Sequence, residues 1–142
     1  MYTQSIALGR VVMARLDPGE DLLQAIGRAA AENSVANGLI LNGVGSINRY
    51  HVHVVALPTL PTRDEFIWGE GAFDILSLSG LVIAGRVHAH ITLANEQGAL
   101  GGHLEEGTRI LTFAVVTLGD VGDVDLTGWD SVGRLEDIIS NK

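Results

Sequence analysis

Between Arg86 and Ala94 the chain alternates. Val87, Ala89, Ile91 and Leu93 are apolar, and Arg86, His88, His90 and Thr92 are polar. That period of two is the mark of a half-buried strand, with one face in the core and the other presenting two histidines. Asn95-Glu96-Gln97-Gly98 follows, a group that tolerates turn dihedrals, and then Ala99-Leu100-Gly101-Gly102-His103-Leu104-Glu105-Glu106-Gly107. The pattern predicts a hairpin. Counting back from the turn puts Ala94 opposite Ala99, Leu93 opposite Leu100 and His90 opposite His103. A two-residue turn at Glu96-Gln97 gives the same pairing, whereas a slip of one residue sends His103 to the other face.

Elsewhere the pattern gives further elements. Ser5 to Leu16 is rich in Ile, Val, Leu and Ala and predicts a buried strand. Asp17-Pro18-Gly19-Glu20 has the form of a helix start, and Leu22, Leu23, Ile26, Ala29 and Ala30 continue at helical spacing to Asn37-Gly38. Leu39 to Val44 is an apolar strand broken at Gly45-Ser46 and resumed from Ile47 to Leu57, and Pro58 to Asp64 is a loop. Glu65 to Glu70 and Phe73 to Ser79 predict two more strands, the second ended by Gly80. Thr108 to Leu118, apolar on both faces, predicts a central strand. The acidic, turn-like Gly119 to Asp125 lacks EF-hand spacing, and Trp129, Leu135, Ile138 and Ile139 are expected to pack on the sheet or a neighbouring subunit. The sum is a single α/β (α+β) domain over residues 1–142: a mostly antiparallel sheet of about seven strands with one main helix across it.

The predicted hairpin carries the candidate chemistry. His90 and His103 fall with Cβ atoms about 5 Å apart, and His88 sits on the same face about 7 Å along the strand. Three imidazoles so placed can converge on one ion. Glu105 falls opposite His88 by the same count, where a carboxylate can orient a histidine N–H or move a proton, so it is the candidate catalytic residue. With three protein ligands and no cysteine, the fourth position is left to water or a small anionic or carbonyl ligand. Zinc is the first candidate, and imidazole also suits other divalent transition metals. His51 and His53 form another i, i+2 pair, read as a polar strand face because no third histidine lies nearby in sequence. Asp74, among apolar neighbours, is expected to be exposed, to point at the histidines or to hold an interface.

Composition narrows the function classes. Apolar residues make up 46% and charged ones 18%, which excludes disorder and leaves apolar surface for self-association. The net charge of −8, with nine scattered Lys and Arg, opposes a nucleic-acid interface. No run of 18 apolar residues occurs, so no membrane span is expected, and the default location is cytoplasmic.

His88-x-His90, a short turn, then Gly101-Gly102-His103-Leu104 and Gly107 resemble the signature of the plant and prokaryote conserved domain. That family stands alone in bacteria and archaea and follows AT-hooks in plant nuclear proteins. Asp17-Pro18-Gly19-Glu20-Asp21, Gly43-Val44-Gly45-Ser46 and Gly71 to Gly80 match in the same order. Where the plant form reads Gly-Arg-Phe-Glu-Ile-Leu, this chain has Ala72 and Asp74 for the Arg and Glu. The resemblance implies a compact α/β domain that assembles as a homotrimer, with the three histidines as its metal site. Three readings follow: a metal-binding domain, a metal-dependent hydrolase or hydratase of a small molecule, and a protein-interaction module or DNA-associated protein.

Overall fold

In the computed structural model, which describes residues 1–140, six strands and two helices are arranged as β1 Val11–Leu16, α1 Leu22–Glu32, β2 Gly38–Val55, β3 Asp64–Ile83, β4 Arg86–Asn95, β5 Gly98–Leu104, β6 Arg109–Asp120 and α2 Leu135–Ser140. The sheet order is β1-β6-β2-β3-β4-β5, and every pairing is antiparallel. One extra pairing decides where the functional surface forms: β5 also bonds to β2, through Val52 opposite Leu104 and His53 opposite His103. Strands β2, β3, β4 and β5 therefore close on themselves.

Long strands replace several of the predicted short ones. The two apolar runs from Leu39 to Leu57 form the single strand β2, and irregularities near Ile40, Gly45 and Ile47 absorb the break expected at Gly45-Ser46. Beyond Ile47 the strand keeps β3 on one side and, past Arg49, exchanges β6 for β5 on the other. The runs at 65–70 and 73–79 likewise join into β3, which continues through Gly80 to Ile83. Gly80 does not end the strand: it pairs with Ile40 on one side and Ala89 on the other, and a Cβ there would lie 2.1 Å from the His88 carbonyl. A register shift between Ile75 and Ser77 puts Ile75 and Leu78 in the core, not on opposite faces as strict alternation predicts. The first strand is shorter than expected, starting at Val11 instead of Ser5.

Helix α1 begins later than its sequence signature. Asp17 and Glu20 do form half of a capping box, with the Asp17 N–H donating to Glu20 Oε2 at 2.7 Å. Residues 19–22, however, pair with the start of β6: Gly19 N–H donates to Ile110 O, Ile110 N–H to Glu20 O and Leu22 N–H to Thr108 O. Asp21 is the true N-cap and accepts from Gln24 N–H at 3.2 Å. The helix stops at Glu32 with Asn33 as C-cap, and Gly38 opens β2 instead of closing the helix. Its buried face, Leu22, Ala25, Ile26, Ala29 and Ala30, packs on β1, β6 and β4. Opposite it lie Leu16, Ile91, Leu93, Ile110, Ala114, Val116 and Leu118.

Strand β6 is buried on one face only. Leu111 and Phe113 point outward, together with Val11 and Met13 on β1, Val44 on β2 and Leu76 on β3. A second small core of Ile83, Val121 and Leu126, flanked by Leu39, Leu81, Val124 and Trp129, pins the segment after β6 to the end of the β3–β4 hairpin. No described helix is long and apolar enough to cross a membrane.

Candidate metal centre

The hairpin has the register its sequence predicts. His90 is opposite His103, Ile91 opposite Gly102, Leu93 opposite Leu100 and Asn95 opposite Gly98, leaving Glu96-Gln97 as a two-residue turn. Ala89, Ile91 and Leu93 are buried, so His88 and His90 face outward together. Ring centroids of His88 and His103 lie 4.6 Å apart, and His90 is 5.5 Å from each.

The closure of β5 on β2 adds a fourth ring. His53 stacks on His103 at 4.4 Å with planes 18° apart. Gly101 and Gly102 make this closure physically permissible: a Cβ on Gly102 would lie 2.5 Å from the His53 carbonyl, and one on Gly101 2.5 Å from the Ile91 carbonyl. The glycines thus bring three backbones together, which is a stronger constraint than leaving room beside the rings.

Glu105 is placed differently from the sequence count. It lies just past the end of β5, its N–H donates to His51 O, and its Oε1 accepts from His53 Nδ1 at 2.6 Å and lies 3.3 Å from His103 Nδ1. Among the described residues, the set whose ligand atoms all lie within 4.8 Å of one another is His53, His103 and Glu105. The carboxylate facing His88 is instead Asp130, whose Oδ2 accepts from His88 Nδ1 at 3.1 Å and from Arg86 Nη2 at 2.7 Å.

These partners fix which ring nitrogen is free. His88 donates from Nδ1 to Asp130, and His103 Nδ1 is 3.1 Å from Leu104 O as well as near Glu105. A proton held on Nδ1 leaves the lone pair on Nε2, the form a metal-binding histidine needs. The donor set therefore fits a borderline metal ion: neutral imidazoles, flanking carboxylates and no thiolate.

Burial and crowding lower the pKa of two of the imidazoles, His90 and His103. Burial lowers the His90 pKa first, and the neighbouring His88 and His53 lower it further. His103 is lowered by burial, then by His53 and His88, with Glu105 opposing and His90 adding to the drop. Burial works to raise the Asp130 carboxyl, yet its hydrogen bonds from Arg86 and His88 and the Arg86 charge outweigh that and hold it below the usual range.

His51 stays apart from the cluster. Its Nδ1 donates to Glu106 O at 2.6 Å, its ring stacks on Trp68 at 4.3 Å, and its buried Nε2 has no hydrogen-bond partner among the described residues. A cleft of about 260 Å³ opens beside the cluster, lined by His53, Val54, Val55, His90, Gly102 and His103. Asp74 is exposed and lines a separate, larger hollow with Ser46, Glu96 and Thr112, so it does not reach the histidines.

His53 and Asp130 are the two residues that sequence reasoning missed. The His51/His53 pair was a visible signal, but its link to His103 is a contact between strands 50 residues apart in sequence. Nothing in the sequence marks Asp130.

The signature of the Plants and Prokaryotes Conserved (PCC) domain matches residues 4–122. A Synechococcus sp. (strain JA-3-3Ab) protein named bifunctional protein GlmU is 35% identical over 112 residues, which is 78% of this chain. The match spans only 17% of that relative's length. Among solved structures, a plant- and prokaryote-conserved protein from Pyrococcus horikoshii superposes with a TM-score of 0.75 at 28% identity, covering 88% of this chain and 87% of that one. A metal-containing protein from Archaeoglobus fulgidus gives 0.72 at 23% identity, covering 87% and 89%. A protein from Bacteroides thetaiotaomicron, named as a candidate DNA-binding protein, gives 0.71 at 20% identity, covering 82% of each chain.

Proposed function

Because the chain belongs to the Plants and Prokaryotes Conserved domain family, we propose that it is a homotrimeric metal-binding protein whose open site is built from His88, His90 and His103. The observation that carries this reading is the gathering of three imidazoles from one hairpin, with centroids 4.6 to 5.5 Å apart. Such spacing suits three rings around one ion at metal–nitrogen distances of about 2.0 to 2.1 Å. Zinc is the metal proposed, and the metal-containing relative from Archaeoglobus fulgidus supports the class. Metal analysis of untagged protein, beside a His88→Ala, His90→Ala double variant, tests it.

The cleft beside the cluster favours a second reading, a hydrolase or hydratase acting on a small carbonyl compound. When bound, the metal supplies Lewis acidity at its open position. Glu105 accepts from Nδ1 of His53, whose ring lines the cleft, so Glu105 acting through His53 is the group proposed to hold or accept a proton there. Val54 and Val55 give the cleft an apolar wall for the rest of a small ligand. Small esters, amides and lactones assayed with and without chelator separate this reading from plain metal binding.

Self-association has a surface to use. Val11, Met13, Val44, Leu76 and Phe113 are all more than two-fifths exposed on adjacent strands, on the side of the sheet away from α1. Contiguous apolar surface of this kind marks a contact with another chain, and a second and third copy of this chain are the proposed occupants. DNA binding is not part of the reading, since the net charge of −8 opposes phosphate contacts.

A further inference from the structure

Asp130 stands outside residues 4–122, the part of the chain that matches the family signature. It reaches the histidine cluster because its segment is anchored: Leu126 is buried against Ile83 and Val121, and Trp129 packs beside them. The Trp129 N–H donates to Leu126 O at 3.1 Å, and the Thr127 N–H to Asp125 Oδ1 at 2.8 Å, turning the chain back onto β4. The Asp130 side chain is only 8% exposed. One oxygen, Oδ2, accepts from both Arg86 and His88. Arg86 and His88 are two residues apart on β4 and so project from the same face.

We propose that Asp130, which lies beyond the part of the chain that matches the family signature, is a positioning residue for the metal centre. This inference rests on His88 being a ligand. A free neutral imidazole exchanges its proton between two nitrogens, and only the Nδ1–H form presents Nε2 as a donor. A buried carboxylate on Nδ1 selects that form and holds the ring plane before any ion arrives. Arg86 fixes the carboxylate in turn and balances its charge, so the acceptor does not depend on the ion for its place. His103 receives the same service from Leu104 O and Glu105. His88 has no such acceptor within the hairpin and draws it from 42 residues away.

The test uses the full chain with Asp130→Ala, and Asp130→Asn as the variant that keeps the side chain's shape. Long-range nitrogen–proton NMR of metal-free protein reads the His88 tautomer directly, and titration with cobalt(II) reads affinity. The expected results are an Nδ1–H tautomer in the wild type and a shift toward Nε2–H in Asp130→Ala. Cobalt affinity should fall about 10- to 100-fold in Asp130→Ala, with Asp130→Asn intermediate because its amide oxygen still accepts. If Asp130→Ala does not fold, the Asp130→Asn comparison decides, and wild-type affinity in that variant overturns the proposal. An unchanged His88 tautomer in Asp130→Ala overturns it too, even if affinity drops, because Asp130 would then act only through packing or charge. A wild-type protein that takes up no cobalt contradicts the metal reading itself, while the tautomer measurement still decides the role of Asp130.

Discussion

His53 and His103 lie directly opposite each other on β2 and β5, with their rings stacked at 4.4 Å and one Glu105 oxygen beside both Nδ1 atoms. This contact joins a local hairpin to a distant strand and turns a row of three histidines into a cluster of four. Its existence depends on Gly102.

Replacing Gly102 with alanine should therefore be costly. The new Cβ would meet the His53 carbonyl at 2.5 Å, and neither backbone can yield without opening the β2–β5 pairing. Overpacking of this kind costs about 1 to 3 kcal/mol. Denaturant unfolding of Gly102→Ala should show that loss, together with loss of the His53–His103 proximity by NMR. Wild-type stability would mean that the strands do not close.

Asp21 ties the helix to the loop carrying Glu105 and Glu106. Its Oδ1 accepts from Gln24 N–H, and its Oδ2 accepts from Gly107 N–H at 2.6 Å, with the residue itself only 5% exposed. Asp21→Ala removes a helix cap and strands a loop N–H, for a loss of about 2 kcal/mol. Asp21→Asn should recover part of it, because an amide oxygen still accepts. Equilibrium unfolding measures both.

The metal-free protein should lose stability in mild acid. His90 and His103 have folded pKa values below the ordinary one, chiefly through burial and then through neighbouring histidines. The unfolded chain therefore takes up protons first, near pH 6.5. Stability is complete above that pH and declines as pH falls below it, until the folded-state values are passed. Replacing His53 with glutamine removes one repulsive neighbour and should move the His103 titration upward, as read from its ring-proton shifts. An unmoved titration would contradict the stacking of the two rings.

Phe113→Asp places a charge in the exposed apolar face of β6. Sedimentation equilibrium should find a trimer for the wild type and a monomer for the variant. A monomeric wild type would leave that face without its proposed occupant.

What the sequence made legible was local. The turn at Asn95 to Gly98 and the alternation before it set the His90–His103 pairing within 14 residues. Long-range pairings escaped it. The Asp17 N–H does donate to Glu20, yet β6 captures residues 19–22 and delays the helix to Leu22. Irregularities in β2 let one strand run through glycines that read as breaks. His53 and Asp130 come to the hairpin from 52 and 42 residues away from their partners, Glu105 and His88. No periodicity within one segment encodes such contacts.

The most direct test of the metal reading is the elemental content of protein purified without a histidine tag, compared with its His88→Ala, His90→Ala variant. The wild type is expected to hold a stoichiometric transition metal, zinc first, and the variant to lose it with its fold intact by circular dichroism. Metal-free wild-type protein that also fails to take up added zinc, or equal metal in the two proteins, would contradict it.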